Sequence, residues 1–305
     1  MKKRSIHVTW RLLACAAALL VAGCATAPPP PPPAAPAPPA PPVARQLPRI
    51  GLALGGGAAR GFAHVGVLQV LEEAGIRPDV VVGTSAGSLV AALYASGRGG
   101  RELQQVADSM EEAAFADWTL PILNRGMLRG EALARYVNGQ VGHRPIEQMP
   151  LRLGIVATNL NNGEGVLFQR GDTGTAVRAS SAVPAVFLPV RIGDQDYVDG
   201  GLVSPVPVRY AREMGAELVV AVDISSAPEG NRAADPLQIL LQTFAIMGKN
   251  INKYELREAD VVVRPALLGF GSADFASRGK AIAAGRAAMQ RLLPELRAAM
   301  ARKSH

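Results

Sequence analysis

Three stretches of this 305-residue chain carry residue types that could do nucleophilic chemistry. Gly83-Thr84-Ser85-Ala86-Gly87 sets a serine between two glycines, after an apolar run at 79–82 and before a helical pattern at 88–96. That is the context of a nucleophile elbow: a turn too tight for side chains at Gly83 and Gly87 pushes the Ser85 hydroxyl out above a sheet. A serine needs a base, and the four histidines are poorly placed for it. His7 is near the start and His305 is the last residue; His143 lies in a Gly-His-Arg-Pro loop, read as solvated, and His64 on a helix as a packing or loop-anchoring residue. No histidine follows an acid late in the fold, as a Ser-Asp-His order requires, so the expected base is a carboxylate. Asp199 is the best candidate, following Tyr197-Val198 and preceding Gly200-Gly201, where two glycines let other groups approach closely. Burial would raise its pKa and make it a better base. Asp223, at the end of an apolar run, competes, with a capping role as the alternative.

The third stretch is Gly55-Gly56-Gly57-Ala58-Ala59-Arg60-Gly61, between a strand and a helix. Backbone N–H groups in such a loop favour negative charge. A dinucleotide fingerprint from Gly55 needs glycine where Arg60 stands, and a P-loop ending at Gly61 needs lysine where Phe62 stands. Both phosphate readings fail. An oxyanion hole remains, at about 3 kcal/mol per donor. Arg60 either orients the loop or meets an anionic head group.

Around these residues the pattern alternates. Apolar runs at 50–54, 79–82, 151–157, 166–168, 197–198, 218–222 and 261–263 read as strands. Helical periodicity covers 62–74, 88–96, 101–114, 130–138, 174–182, 204–214, 235–256 and 276–301. Strands alternating with helices predict a mainly parallel sheet with helices on both faces, in one domain. Helix 235–256 has a single apolar face including Leu237, Leu240, Phe244, Met247, Ile251 and Tyr254. Burial in the core is the expectation and a lipid-facing lid the alternative.

The N-terminus follows different rules. Lys2, Lys3, Arg4 and Arg11 precede an apolar segment at 12–23, too short to span a bilayer and matching a signal peptide. It ends in Val21-Ala22-Gly23-Cys24, which resembles a bacterial lipobox whose cysteine is lipidated. Ala25 next to it resembles outer-membrane sorting, with the protein facing the periplasm. Residues 28–42 hold eleven prolines and four alanines, a polyproline spacer. The predicted organisation is a signal peptide at 1–23, a lipidated cysteine and proline-rich linker at 24–48, and the catalytic domain at 49–305.

This division changes the meaning of the composition. The chain has 32 basic and 25 acidic residues, a net +7, but cleavage before Cys24 leaves 28 against 25, or +3. The basicity no longer argues for nucleic acid, and 5% aromatic residues argue against a stacking platform. Both cysteines, Cys15 and Cys24, lie outside 49–305, which excludes a disulfide framework, a thiolate nucleophile and a cysteine-held metal there.

Taken jointly, GGGAARG (55–61), GTSAG (83–87), Ala179-Ser180-Ser181-Ala182-Val183-Pro184 and DGG (199–201) resemble the patatin-like phospholipase family across essentially all of 49–305. The resemblance implies a three-layer α/β/α sandwich with Ser85 as nucleophile, Asp199 as base and the Gly55, Gly56 and Gly57 backbone as oxyanion hole. Arg60, Gly61, Gly83, Gly87, Gly200 and Gly201 support the motifs, and 179–184 lines or supports the site. The family often has Asp where Asn159 stands, which is not a catalytic position. The expected activity is lipid acyl hydrolysis, on phospholipids, lysophospholipids or simple esters, without metal or organic cofactor. A transacylase on the same dyad and a non-catalytic lipid-binding envelope protein are the alternatives. The expected partner is membrane lipid.

Overall fold

The computed structural model describes residues 46–111, 126–225, 234–271 and 274–304. The signal segment, Cys24, nearly all of the linker and the end of the helix expected at 101–114 lie outside them.

The centre is an eight-stranded sheet. Five strands are parallel in the order β10 (Val261–Val263), β9 (Leu218–Val222), β1 (Ile50–Leu54), β2 (Val80–Thr84), β4 (Arg152–Asn159). Three more are antiparallel: β5 (Gly165–Phe168) and β8 (Gln195–Asp199) on β4, and β7 (Val190–Ile192) on β8. Two further strands, β3 (Gly126–Leu128) and β6 (Ala185–Phe187), form a small parallel pair. The sheet is therefore mixed, parallel from the β10 edge to β4 and antiparallel beyond it. β3, β6 and β7 have no counterpart in the sequence reading, because three-residue strands show too little periodicity to register.

Register explains why two distant segments meet. Ile155 and Val156 pair with β2 (Gly83, Thr84) and with β5 (Phe168, Leu167), so β2 and β5 occupy opposite edges of β4. Ala157 and Thr158 pair with β5 (Val166, Gly165) and with β8 (Asp199, Val198). Hence β8 takes the edge of β4 that β2 has just left. Since β2 runs with β4 and β8 against it, their carboxyl ends point at each other. Thr84 sits opposite Val156 and Asp199 opposite Ala157, one residue further.

β1 and β9 are buried throughout, as a sheet covered on both faces requires. Ile50, Leu52 and Leu54 face a core built with α1 (Phe62–Glu73), α2 (Ala86–Ala95), α3 (Gly100–Ser109) and the last helix, α8 (Arg278–Lys303). Ala53, Val80 and Val82 face the other side, against Val208, Tyr210 and Ala211 of α6 (Val208–Glu213). The remaining helices are α4 (Glu131–Gln140), α5 (Thr173–Ser180) and α7 (Pro236–Glu255). α1 and α8 approach until their backbones touch: a Cβ on Gly66 would overlap the Ile282 carbonyl, and one on Gly285 that of Ala63.

Two expectations change. The helix expected at 204–214 begins only at Val208, because Pro205 and Pro207 hold the preceding residues out of helical conformation. Helix α7 is not a core helix: only Gly248, Asn252 and Glu255 are buried, while Ile239, Ile246, Met247 and Tyr254 are exposed. An apolar stripe states that a helix has a face, not what lies against it.

Candidate active site

Ser85 stands between the end of β2 and the start of α2 with φ 53° and ψ −124°. A non-glycine residue there is strained, by about 1–3 kcal/mol, and the surroundings must hold it. They do so on both sides of the peptide. The Ser85 N–H donates to Ser180 Oγ at 2.8 Å, and Ser180 Oγ donates onward to the Val156 carbonyl at 2.5 Å. The Ser85 carbonyl accepts from the Ser88 N–H at 2.8 Å and from Ser88 Oγ at 2.6 Å. The flanking glycines are sterically required: a Cβ on Gly83 would overlap the Gly87 carbonyl, and one on Gly87 the Leu54 carbonyl.

Asp199 ends β8 and is buried. Its N–H donates to the Ala182 carbonyl at 3.0 Å, and its carbonyl accepts from Thr158 Oγ1 at 2.8 Å. Its carboxylate accepts the Gly201 N–H at 2.7 Å. Burial pushes its pKa up to about 6, and the Gly201 N–H and the nearby Ser85 hydroxyl pull it partly back. Gly200 is packed so closely that a Cβ would overlap the Val156 carbonyl, which brings the Asp199 turn against β4. The turn is also tied to β2: Thr84 Oγ1 donates to the Ser204 carbonyl at 2.9 Å, and Ser204 Oγ to the buried Glu255 of α7 at 2.5 Å.

The glycine loop differs in detail from its expectation. The Gly55 N–H donates to the Val222 carbonyl at 3.0 Å and the Gly56 N–H to the Pro205 carbonyl at 2.9 Å. The first continues the β1–β9 pairing and the second ties the loop to the turn before α6, so neither N–H is free to bind an oxyanion. Among the described residues the N–H groups of Gly57 and Ala58 donate to no carbonyl in this way. Ala58, with φ 50°, lines the same cavity as Ser85. Gly56 and Gly61 place the loop there, since a Cβ on Gly56 would lie 3.1 Å from Ser85 Cβ and one on Gly61 2.9 Å from Ala86 Cβ.

Arg60 takes the loop-orienting role of its two alternatives. It is buried, with Nε donating to the Ile224 carbonyl at 2.9 Å and Nη1 towards the Phe270 carbonyl at 3.5 Å. Desolvation lowers its pKa. His64 is fully buried with Nε2 2.8 Å from the Gly55 carbonyl, and burial lowers its pKa to about 4. It is therefore neutral and anchors the loop as an Nε2–H donor. His143 is exposed. Asp223 is occupied elsewhere: Oδ1 accepts from the Ser225 N–H and hydroxyl, and Oδ2 pairs with Arg264 at 3.3 Å. Ser180 is the supporting residue that residue-level reading did not single out; its only signal was membership of the 179–184 motif.

A cavity of about 230 Å³ opens beside Ser85 between α2 and α3. Among the described residues, apart from Ser85 and Ser181, it is lined by apolar side chains, from Phe62, Leu89 and Val90 to Val183, Phe187 and Phe275.

A strained serine thus stands beside a buried carboxylate, above a mixed α/β sheet and next to an apolar cavity. Residues 52–212, more than half of the chain, match the family model described as patatin-like phospholipase. The chain belongs to that family. It is 37% identical over 191 residues to an uncharacterized NTE family protein of Mycobacterium tuberculosis, covering 62% of this chain and 53% of that protein. A second such protein of M. tuberculosis is 30% identical over 271 residues, 80% of this chain and 46% of the relative. Patatin-like phospholipase domain-containing protein 6 of mouse is 35% identical over 189 residues, 59% of this chain and 14% of that protein. The chain thus spans about half or less of the curated relatives it matches. The crystal structure of VipD from Legionella pneumophila aligns over 81% of this chain and 67% of its own, at TM-score 0.48 and 15% identity.

Burial of Asp199 has a cost with a definite sign. A carboxyl whose folded pKa lies above its unfolded value near 3.8 destabilises the fold as pH rises through 6, by on the order of 3 kcal/mol. Asp199→Asn removes the charge, so it should unfold at higher denaturant concentration than the wild type at pH 8, with the difference closing by pH 4. A less stable Asp199→Asn at pH 8 would show that the carboxylate is net stabilising and its burial misjudged.

Proposed function

We propose that this chain is a lipid acyl hydrolase working through a Ser85–Asp199 dyad. The observation that carries the reading is the strained Ser85 beside the buried Asp199, at the mouth of an apolar cavity. At pH 7 a carboxyl of pKa about 6 is roughly nine-tenths ionised, and it is a stronger base than a solvated aspartate. Asp199 takes the Ser85 proton as Oγ attacks the ester carbonyl carbon. The carbonyl oxygen becomes the oxyanion, held by the N–H groups of Gly57 and Ala58. Asp199 then gives its proton to the leaving alcohol as the carbon–oxygen bond breaks, leaving an acyl-serine. Water attacks that ester with Asp199 again accepting the proton, and Asp199 passes it to Ser85 Oγ as the acyl–oxygen bond breaks and the free acid leaves. His64 takes no part; as a neutral group it keeps the Gly55 end of the loop in place. The lipobox at 21–24 supports export and lipidation at Cys24, with the polyproline run carrying the domain beside a membrane, in the outer membrane facing the periplasm.

A fluorophosphonate probe should label the wild type and leave Ser85→Ala unlabelled, with release of free fatty acid from phospholipid, lysophospholipid or simple ester lost in the same variant. Asp199→Asn should lower that rate by at least 100-fold. Labelling that survives Ser85→Ala, or full hydrolysis by Asp199→Asn, contradicts the dyad. In a Gram-negative host, labelled palmitate should enter the wild type and not Cys24→Ala; equal incorporation in both would remove the anchor.

A further inference from the structure

We infer that the cavity beside Ser85 is an acyl-chain ruler, holding one alkyl chain of about nine carbons and leaving the rest of the lipid outside. The inference rests on the hydrolase reading above and deepens it. Two helical stripes build the walls. Leu89, Val90 and Leu93 of α2 recur at the i, i+1 and i+4 spacing of one helix face, and Leu103, Val106 and Met110 recur on and just after α3. Leu93, Leu103, Val106 and Met110 are themselves buried, so these walls belong to the core and their positions are set by its packing.

Length follows from helix geometry. Ser85 is the residue before α2, and Leu93, the last α2 residue to line the cavity, lies eight positions further. At about 1.5 Å per residue that is about 12 Å along the helix axis. An extended chain with carbon–carbon bonds of about 1.5 Å advances roughly 1.3 Å per bond, so about nine carbons fill the distance. Size and chemistry agree on what is left out. The cavity of about 230 Å³ is below the roughly 300–1,000 Å³ of pockets that enclose a whole small molecule. Among the described residues that line it none is charged, and Ser85 and Ser181 are the only polar ones. Against these walls a phosphate or polar head group finds no partner, whereas an alkyl chain finds apolar contact. The site therefore selects on the acyl chain.

The test is a series of p-nitrophenyl esters from four to sixteen carbons, below their micelle concentrations, with the full chain. In the wild type kcat/KM should rise by about fourfold per methylene, the fold-change equivalent of about 0.8 kcal/mol, and level off near nine or ten carbons. Leu93→Trp should move the plateau to shorter chains and lower the ten-carbon to four-carbon rate ratio at least tenfold. Val106→Trp, from the opposite wall, should do the same. Because the ratio is taken within one preparation, partial misfolding of a variant cancels. Alkyl fluorophosphonates of the same lengths report the preference through Ser85 labelling where turnover is slow. A flat wild-type profile, or ratios unchanged in both variants while Ser85-dependent hydrolysis persists, overturns the ruler alone. Absence of both hydrolysis and Ser85 labelling at every length overturns the hydrolase reading, and the ruler with it.

Discussion

The structure depends on keeping one carboxylate out of water next to one hydroxyl. An aspartate in solvent titrates near 4 and is a poor base for serine. Asp199, buried beneath its own turn, is raised to about 6 and lies beside Ser85. That contact joins residues 114 positions apart in the chain, so local sequence cannot make it. The sheet makes it: β2 leaves one edge of β4 after Thr84, and β8 arrives from the opposite direction on the same edge, ending at Asp199. The antiparallel flank of an otherwise parallel sheet is thus the element that brings Asp199 to Ser85.

Much of the surrounding packing holds these two strand ends. Ser180 fixes the Ser85 N–H and the Val156 carbonyl together, so the elbow is tied to the same stretch of β4 that Asp199 abuts. Thr84 and Ser204 tie the end of β2 to the turn after Asp199, and Glu255 fastens Ser204 to α7. Gly83, Gly87 and Gly200 sit where carbonyl oxygens come within overlap distance of a Cβ, which is why the backbone can be this dense. The strain at Ser85 and the charge at Asp199 both cost stability, and a core of strands buried on both faces offsets them.

What could be read from sequence follows from range. Strands β1 and β9 and the positions of Ser85 and Asp199 at strand ends were legible because apolar runs and flanking glycines are local signals. The roles of single N–H groups were not. Gly55, Gly56 and Gly57 look alike in sequence, yet Val222 and Pro205, far along the chain, take two of their N–H groups and move the free pair to Gly57 and Ala58. Helix α7 shows the same limit: its stripe was plain, but the exposure of Ile239, Ile246 and Met247 depends on what other elements leave uncovered. The antiparallel flank was missed in part because β7 is three residues long. His64 was read correctly as an anchor, since its position in the chain order already disqualified it as the base.

The central claim is that burial, not a histidine, makes Asp199 a base for Ser85. Its direct measure is the carboxyl titration of Asp199 itself, followed by ¹³C NMR in protein labelled at aspartate carboxyl carbons and assigned by loss of the signal in Asp199→Asn. A midpoint near pH 6, moved upward when Ser85→Ala removes the stabilising hydroxyl, is the predicted result. A midpoint at or below 4, unaffected by Ser85→Ala, would contradict it.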